Sequence, residues 1–206
     1  MSITQSILLT AVFSLTAIAS SSCHNVINGI GKSVKASGQT ETKDYSYSSA
    51  SVKSLDLATG VNVTFIPADS AKTTTVTVET DKAMMPYVVV ELDGTELNIY
   101  RKNTVNNGGI AIDVEISGPS VSSWELGSGA TLKVTGPLTI SGTLDIDTSS
   151  GAIAYFNEIQ AKKLSVDVSS GSSVAVSGVV AGKLSVDASS GAIAKISGIK
   201  GAKVSA

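Results

Sequence analysis

The chain is poor in the residues from which catalytic centres and disulfides are built. Its 206 residues include one cysteine, one histidine (His24) and one arginine (Arg101). A single cysteine excludes a disulfide within the chain, so stability must come from a packed core. A serine nucleophile needs a neighbouring base, and the serine pairs of the second half have no histidine or arginine near them in sequence. We therefore predict no catalytic residue, no cofactor and no enzyme.

Strong charge of one sign and long apolar runs are also missing. The formal net charge is −2, and 16% of the residues are charged. Because no basic patch is present, we predict no nucleic-acid partner. The most apolar segment, residues 7–19, is shorter than the roughly 20 residues that a bilayer-spanning helix needs. Nineteen glycines and an aromatic content of 4% are typical of a β-rich protein with many turns.

The N-terminal residues have the features of a targeting segment. We predict that residues 1–23 form a signal peptide, because an apolar run is followed by small residues. Cys23 stands directly after them and resembles the lipidated first residue of a bacterial lipoprotein; a plain secretory signal with an incidental cysteine is the alternative. The expected location is the cell envelope, with Cys23 anchored in the outer membrane. Residues 24–51 are rich in Ser, Gly, Thr and Lys and are predicted to be a flexible tether.

The second half of the chain repeats every 20 residues. Leu144, Leu164, Leu184 and Val204 share this spacing, and apolar and polar residues alternate after each of them. Period-two alternation indicates strands with one buried face, and a fixed period indicates stacked units. A leucine-rich repeat and a six-residue repeat fit the spacing less well. We therefore predict an all-β fold with a right-handed parallel β-helix, a solenoid of about 20-residue coils, in the C-terminal half.

Before the repeats, the strands are longer and less regular. Asp93-Gly94 between two apolar runs predicts a hairpin. Trp124 is expected to take the inward position that Ile146 and Val166 hold in later units. We see no linker, so we predict residues 52–206 to be one β-helix domain, truncated at its C-terminus. Its open last coil is expected to promote self-association.

Two candidate sites lie on the predicted coils. Asp147, Asp167 and Asp187 occupy one register and are weak candidates for binding a metal ion, although a solvated polar row explains them as well. Tyr155 interrupts its own register and is a candidate for stacking on a ligand. Many polysaccharide lyases and hydrolases also have a β-helix fold. The alternative function is therefore a polysaccharide-active enzyme with a degenerate site. A pocket that groups Asp with Lys would favour the enzyme, whereas a flat surface would favour a binding protein.

The ordered segments of the chain resemble a known family. These segments are LDLATGVNVTFIPADS, TVTVETDKAMMPYVVVELDGTELNIY and IDVEISGPSVSSWELGSGATLKV, followed by the repeated SSG units. Together they are similar to the "putative auto-transporter adhesin, head GIN domain" family of exported Bacteroidetes proteins. The resemblance implies a right-handed β-helix on an exported, often lipid-anchored protein and carries over no catalytic residues. We therefore expect a non-catalytic cell-envelope adhesin whose regular solenoid surface, covered by Ser, Thr and Asp, binds glycans or proteins.

Overall fold

A computed structural model describes residues 5–10, 32–201 and 203–205. Apart from one 3₁₀ helix, Met85–Tyr87, the regular elements of this part are strands. They are β1 (Gln5–Thr10), β2 (Lys32–Ser33), β3 (Thr40–Ser48), β4 (Ser54–Leu57), β5 (Asn62–Pro67), β6 (Thr73–Asp81), β7 (Val88–Asp93), β8 (Glu96–Arg101), β9 (Val105–Asn106), β10 (Ile112–Gly118), β11 (Ser123–Leu126), β12 (Thr131–Val134), β13 (Pro137–Thr148), β14 (Ile153–Val168), β15 (Ser173–Ala188), β16 (Ile193–Lys200) and β17 (Lys203–Ser205). No helix in the described ranges is long and apolar enough to cross a membrane.

The 20-residue spacing sets the pairing of the C-terminal strands. β13, β14 and β15 run parallel, and Leu144 pairs with Leu164, which pairs with Leu184. All three leucines are fully buried, as the period-two pattern predicts. Val204 continues this column opposite Leu184 but is 38% exposed. The register of the repeats was therefore predicted correctly from the sequence.

Tight turns end each repeating unit in the same way. Ser150 has φ 52° and Gly151 has φ 74°, and the equivalent residues of the next two units adopt nearly identical angles. Glycine favours this left-handed region, and serine tolerates it at a cost. Successive turns are joined by backbone bonds, since the Gly151 N–H donates to the Ser170 carbonyl at 3.1 Å. Backbone groups thus make the link between successive turns.

The first half of the sheet is organised differently. β3 pairs antiparallel with β6, and β6 pairs antiparallel with β10. β7 and β8 form the predicted hairpin, in which Asp93 pairs with Glu96 and Gly94 has φ 60°. A two-residue loop of this kind permits only antiparallel pairing of the strands that it joins.

The predicted right-handed parallel β-helix is therefore wrong. The fold is all-β, but its large sheet has mixed strand orientation and nearly closes on itself. The cause lies in the region before Trp124, where the 20-residue repeat is weak and β3, β6, β10, β7 and β8 make antiparallel pairs. β1 adds a further antiparallel pair, with β16. The same correction applies to the description of residues 52–206 as a β-helix domain.

Part of the segment predicted to be a tether contributes to this sheet. Within residues 24–51, β3 pairs with β6 over nine residues, from Thr40 with Asp81 to Ser48 with Thr73. Tyr45 and Tyr47 of this strand pack against the main core. β2 also lies in this segment and pairs with β9.

One hydrophobic core connects the irregular and the repeating strands. β12 lies between β5 and β14, and β11 lies between β4 and β13, so the two kinds of strand meet at both places. Trp124, which was expected to be a core residue, is 1% exposed. Its ring lies edge-on to Phe65 of β5 and to Phe156 of β14, with centroid distances of 4.9 and 5.6 Å. The indole N–H donates to the Val121 carbonyl at 3.3 Å, so its polar atom is satisfied.

Candidate functional site

An open groove of about 610 Å³ lies on the outer surface of β5, β6, β10 and β12. Side chains alternate along these strands, so every second residue faces the core and the others face the groove. It is lined by Asn62, Val63, Thr64, Thr77, Glu79, Asp113, Val114, Glu115, Thr131 and Lys133. The lining therefore combines carboxylates, an amide, hydroxyls and one ammonium group.

Strand register arranges the polar side chains in two parallel rows. The first row runs from Glu79 through Asp113 and Asn62 to Thr131. The second runs from Thr77 through Glu115 and Thr64 to Lys133. Neighbours within a row stand about 4.8 Å apart, the distance between paired strands. A chain of polar groups at this spacing can contact successive hydroxyl groups of an extended ligand.

Hydrogen bonds fix the orientation of three groove side chains. Asn62 Nδ2 donates to Asp113 Oδ1 at 3.0 Å, which holds this amide and carboxylate together. Thr77 Oγ1 donates to Asp44 Oδ1 at 2.7 Å at the β3 side. Because these bonds are made within the protein, the groove is partly preorganised before a ligand arrives.

Tyr155 continues the second row beyond the groove. It pairs with Lys133 across β12 and β14 and is 51% exposed. Ile153 stands next to Thr131 in the first row and is 36% exposed. The predicted stacking residue is thus placed at the end of a polar groove, with an apolar neighbour beside it. The sequence showed Tyr155 itself but did not show the groove.

The three aspartates considered as metal ligands form part of a longer acidic row. Asp147 pairs with Asp167, which pairs with Asp187, so they stack as expected. The row continues into the first half of the chain through Glu125 and Asp56. Within the described residues, no group of three or more His, Cys, Asp or Glu side chains is arranged to hold a metal ion. Cys23 and His24 lie outside those residues.

The acidic row changes the protonation of its central members. Burial, and after it the neighbouring Asp56 and Asp147, raise the pKa of Glu125. Burial followed by repulsion from Asp167 raises the pKa of Asp147. Burial, and after it repulsion from Glu96, also raise the pKa of Asp56. A row of like charges on paired strands is destabilising while it is ionised.

This row predicts that the protein becomes more stable as the pH falls from 7 towards about 4. A carboxyl whose pKa is raised by folding binds more protons in the folded than in the unfolded state. Its destabilising effect is complete above the folded pKa and vanishes below the unfolded pKa of about 4. Asp81 acts in the opposite sense, since the Ser37 backbone N–H and further donors lower its pKa to about 2. Stability should therefore fall again between about pH 4 and pH 2.

Urea midpoints across this pH range test that prediction. Glu125→Gln should reduce the gain between pH 7 and about pH 4. Glu115→Gln, a matched change in the groove, should leave the gain unaltered. A midpoint that declines steadily from pH 7 downwards would contradict the assigned role of the row.

Comparisons with known proteins bear on the fold of the chain. Residues 53–206 match the sequence model of a family described as "Putative auto-transporter adhesin, head GIN domain". A "putative lipid binding protein" from Parabacteroides distasonis has a similar structure, with a TM-score of 0.67 and 14% identity over 76% of this chain and 65% of that chain. A "putative adhesin" from Parabacteroides merdae has a TM-score of 0.66 and 18% identity over 78% of this chain and 66% of that chain.

A third similar structure is a "putative adhesin" from Bacteroides fragilis. Its TM-score is 0.59, with 13% identity over 77% of this chain and 79% of that chain. At these identities the likeness shows the fold alone. The chain spans just under two thirds of the length of the two Parabacteroides structures. None of the curated proteins matches it.

Proposed function

We propose that this chain, which belongs to the "putative auto-transporter adhesin, head GIN domain" family, is a non-catalytic cell-surface protein. It binds carbohydrate through the groove and Tyr155. The observation that carries this proposal is the register between Lys133 and Tyr155, which places an exposed aromatic ring at the end of two polar rows. A flat aromatic ring packs against the apolar face of a sugar. Carboxylates, amides and hydroxyls bind its hydroxyl groups, and such convergent polar groups fix orientation in small-molecule sites.

The size and shape of the groove agree with an oligosaccharide. Its volume of about 610 Å³ lies within the range of roughly 300–1,000 Å³ that ligand sites occupy. The groove is open, which suits an extended ligand that passes through it. The acidic row, in contrast, consists of carboxylates that repel one another, so we place no carbohydrate site there.

We expect Tyr155→Ala to weaken carbohydrate binding about fivefold to tenfold, the loss of roughly 1–1.4 kcal/mol of aromatic contact. Glycans that bind the full chain would first be identified on an array, and affinities would then be measured by calorimetry. Tyr155→Phe, which keeps the ring, should bind almost as well as the natural chain. Equal losses in both variants, or no loss in either, would exclude stacking on Tyr155.

The enzyme alternative keeps one observation in its favour. The groove groups Glu79, Asp113 and Glu115 with Lys133, and two carboxylates about 5–10 Å apart are the usual requirement for glycoside hydrolysis. The same array ligands decide the matter, since incubation with the protein would release reducing ends if a hydrolase is present. Asp113→Asn should then abolish release. A binding protein leaves the glycans intact.

We further propose that the protein is held at a membrane by a lipid on Cys23. The support is the position of Cys23 directly after an apolar run and small residues, in a chain without another cysteine. Cys23→Ser is expected to move the protein from the membrane fraction to the soluble fraction of the envelope. The measurement is immunoblotting of separated fractions, with Ser22→Ala as the control. An unchanged distribution of Cys23→Ser would contradict lipidation.

A further inference from the structure

A second cavity, of about 400 Å³, lies between β2, β9 and the 3₁₀ helix. Its apolar lining comes from Val34, Ala83, Tyr87 and Val105. Val105 is buried and the others are half-buried, so the wall belongs to the folded body. Lys32 and Lys35 also line the cavity and are both exposed. The chemistry is thus an apolar interior with two ammonium groups at its surface.

The charge of this cavity differs from that of the groove. None of its lining residues is acidic, whereas three acids line the groove. The nearest carboxylate in sequence, Asp81, accepts bonds from the backbone N–H groups of Ser37, Gly38 and Ala83 at 2.9, 2.9 and 2.8 Å. Both of its oxygens therefore already accept hydrogen bonds within the protein. The two lysines remain available to an anion from outside.

A third cation lies beside the wall of the cavity. The Arg101 guanidinium donates to the carbonyl of Val105, and Arg101 Nε is buried without a hydrogen-bond partner in the described structure. The charge of Arg101 adds to the positive potential at this wall, which favours a negative ligand in the cavity next to it.

Short backbone contacts hold the cavity open. Val34 N donates to the Asn106 carbonyl at 3.0 Å, and Lys102 N donates to the Tyr87 carbonyl at 2.9 Å. Gly108 allows the first of these contacts, since a Cβ at this position would lie 2.6 Å from the Val34 carbonyl oxygen. Gly108 also has φ 60°, a conformation that glycine favours. The position of β2, and with it the two lysines, thus depends on this glycine.

We propose that this cavity binds a fatty acid, with its carboxylate between Lys32 and Lys35 and the adjoining part of its acyl chain against Val34, Tyr87 and Val105. The apolar lining excludes a small inorganic anion as the best ligand, because such an ion would lose hydration there without compensation. The paired ammonium groups distinguish the carboxylate from an uncharged alcohol of the same length. The volume lies near the lower end of the range for small-molecule sites, which suits a chain of medium length.

Calorimetric titration of the purified full chain with decanoate, and separately with decanol, tests the proposal. The double variant Lys32→Gln/Lys35→Gln is expected to bind decanoate about fivefold more weakly, since exposed ion pairs each contribute modestly. Its affinity for decanol should not change. The matched double variant Lys43→Gln/Lys72→Gln, with the same loss of charge away from the cavity, should bind both ligands as the natural chain does.

A second variant tests the geometry without altering charge. Gly108→Ala should displace β2 and weaken decanoate and decanol alike, while Tyr155→Ala should affect neither. The proposal is overturned if decanoate fails to bind below its micelle concentration, or if both lysine double variants lose affinity equally. It is also overturned if Gly108→Ala folds normally and binds both ligands unchanged. Carbohydrate binding through the groove does not depend on any of these results.

Discussion

Leu164→Asp is expected to prevent stable folding of the protein. Leu164 is fully buried and stands in the column between Leu144 and Leu184. An aspartate there would place an unpaired charge inside a core without a cationic partner, and its cost is several kcal/mol. Whole-domain stabilities are typically about 5–15 kcal/mol, so most of the stability should be lost. Thermal melts followed by circular dichroism would measure the change.

Asp167→Asn is the matched control, three residues further along the same strand. Asp167 is exposed and stands between Asp147 and Asp187 in the acidic row. Removing its charge relieves repulsion, so we expect a melting temperature that is unchanged or slightly higher. A severe loss for Asp167→Asn with a mild one for Leu164→Asp would show that the assignment of inward and outward faces is reversed.

The inward and outward faces could be predicted from the sequence because the same alternation of apolar and polar residues occurs in three repeats. Leu144, Leu164 and Leu184 stand at identical places in identical patterns, and only one pairing satisfies all of them. Strand orientation in the first half could not be predicted in the same way. There the strands β3, β6 and β10 have similar alternation, which fixes which side is buried but not which strand is its neighbour. The error of the β-helix prediction arose from extending the order of the repeats to strands that lack them.

The candidate site, like the fold, could be predicted from the sequence only in part. Tyr155 could be recognised because it departs from the residues at its position in the other repeats. The aspartates could be recognised because they recur at one position of each repeat. The groove could not, because its residues come from four strands and its contacts are distant in sequence. Asn62 meets Asp113 across 51 positions, and Thr64 pairs with Lys133 without any repeated spacing between them. Alternation in β5 and β10 indicated outward polar residues, and only strand order brings them together.

The groove and the cavity between β2, β9 and the 3₁₀ helix differ in how they are built. The groove is formed by side chains on regular strands, so its spacing follows from the sheet. The cavity is formed where the short strands β2 and β9 meet the 3₁₀ helix, and its shape depends on a close backbone approach at Gly108. A substitution in the groove should therefore change affinity without moving the backbone. A substitution at Gly108 should change the position of a whole segment.

Trp124→Ala is expected to destabilise both halves of the protein together. The side chain is the largest of the fully buried ones and packs edge-on between Phe65 and Phe156. Large aromatic-to-alanine changes in a core cost about 3–5 kcal/mol, and two edge-to-face contacts are lost in addition. Phe65 belongs to an irregular strand and Phe156 to a repeating one, so the indole joins the two kinds of strand.

Urea denaturation followed by far-ultraviolet circular dichroism would measure the loss, with Trp124→Phe as the control. Phenylalanine keeps a ring in the site and forms a smaller cavity, so its loss should be clearly smaller. Hydrogen exchange then shows where stability is lost. Protection should fall in β5 and in β14 of Trp124→Ala to a similar degree, because one core serves both. Retained protection in β14 with loss confined to β5 would mean that the repeats fold as an independent unit and that the indole does not couple the two halves.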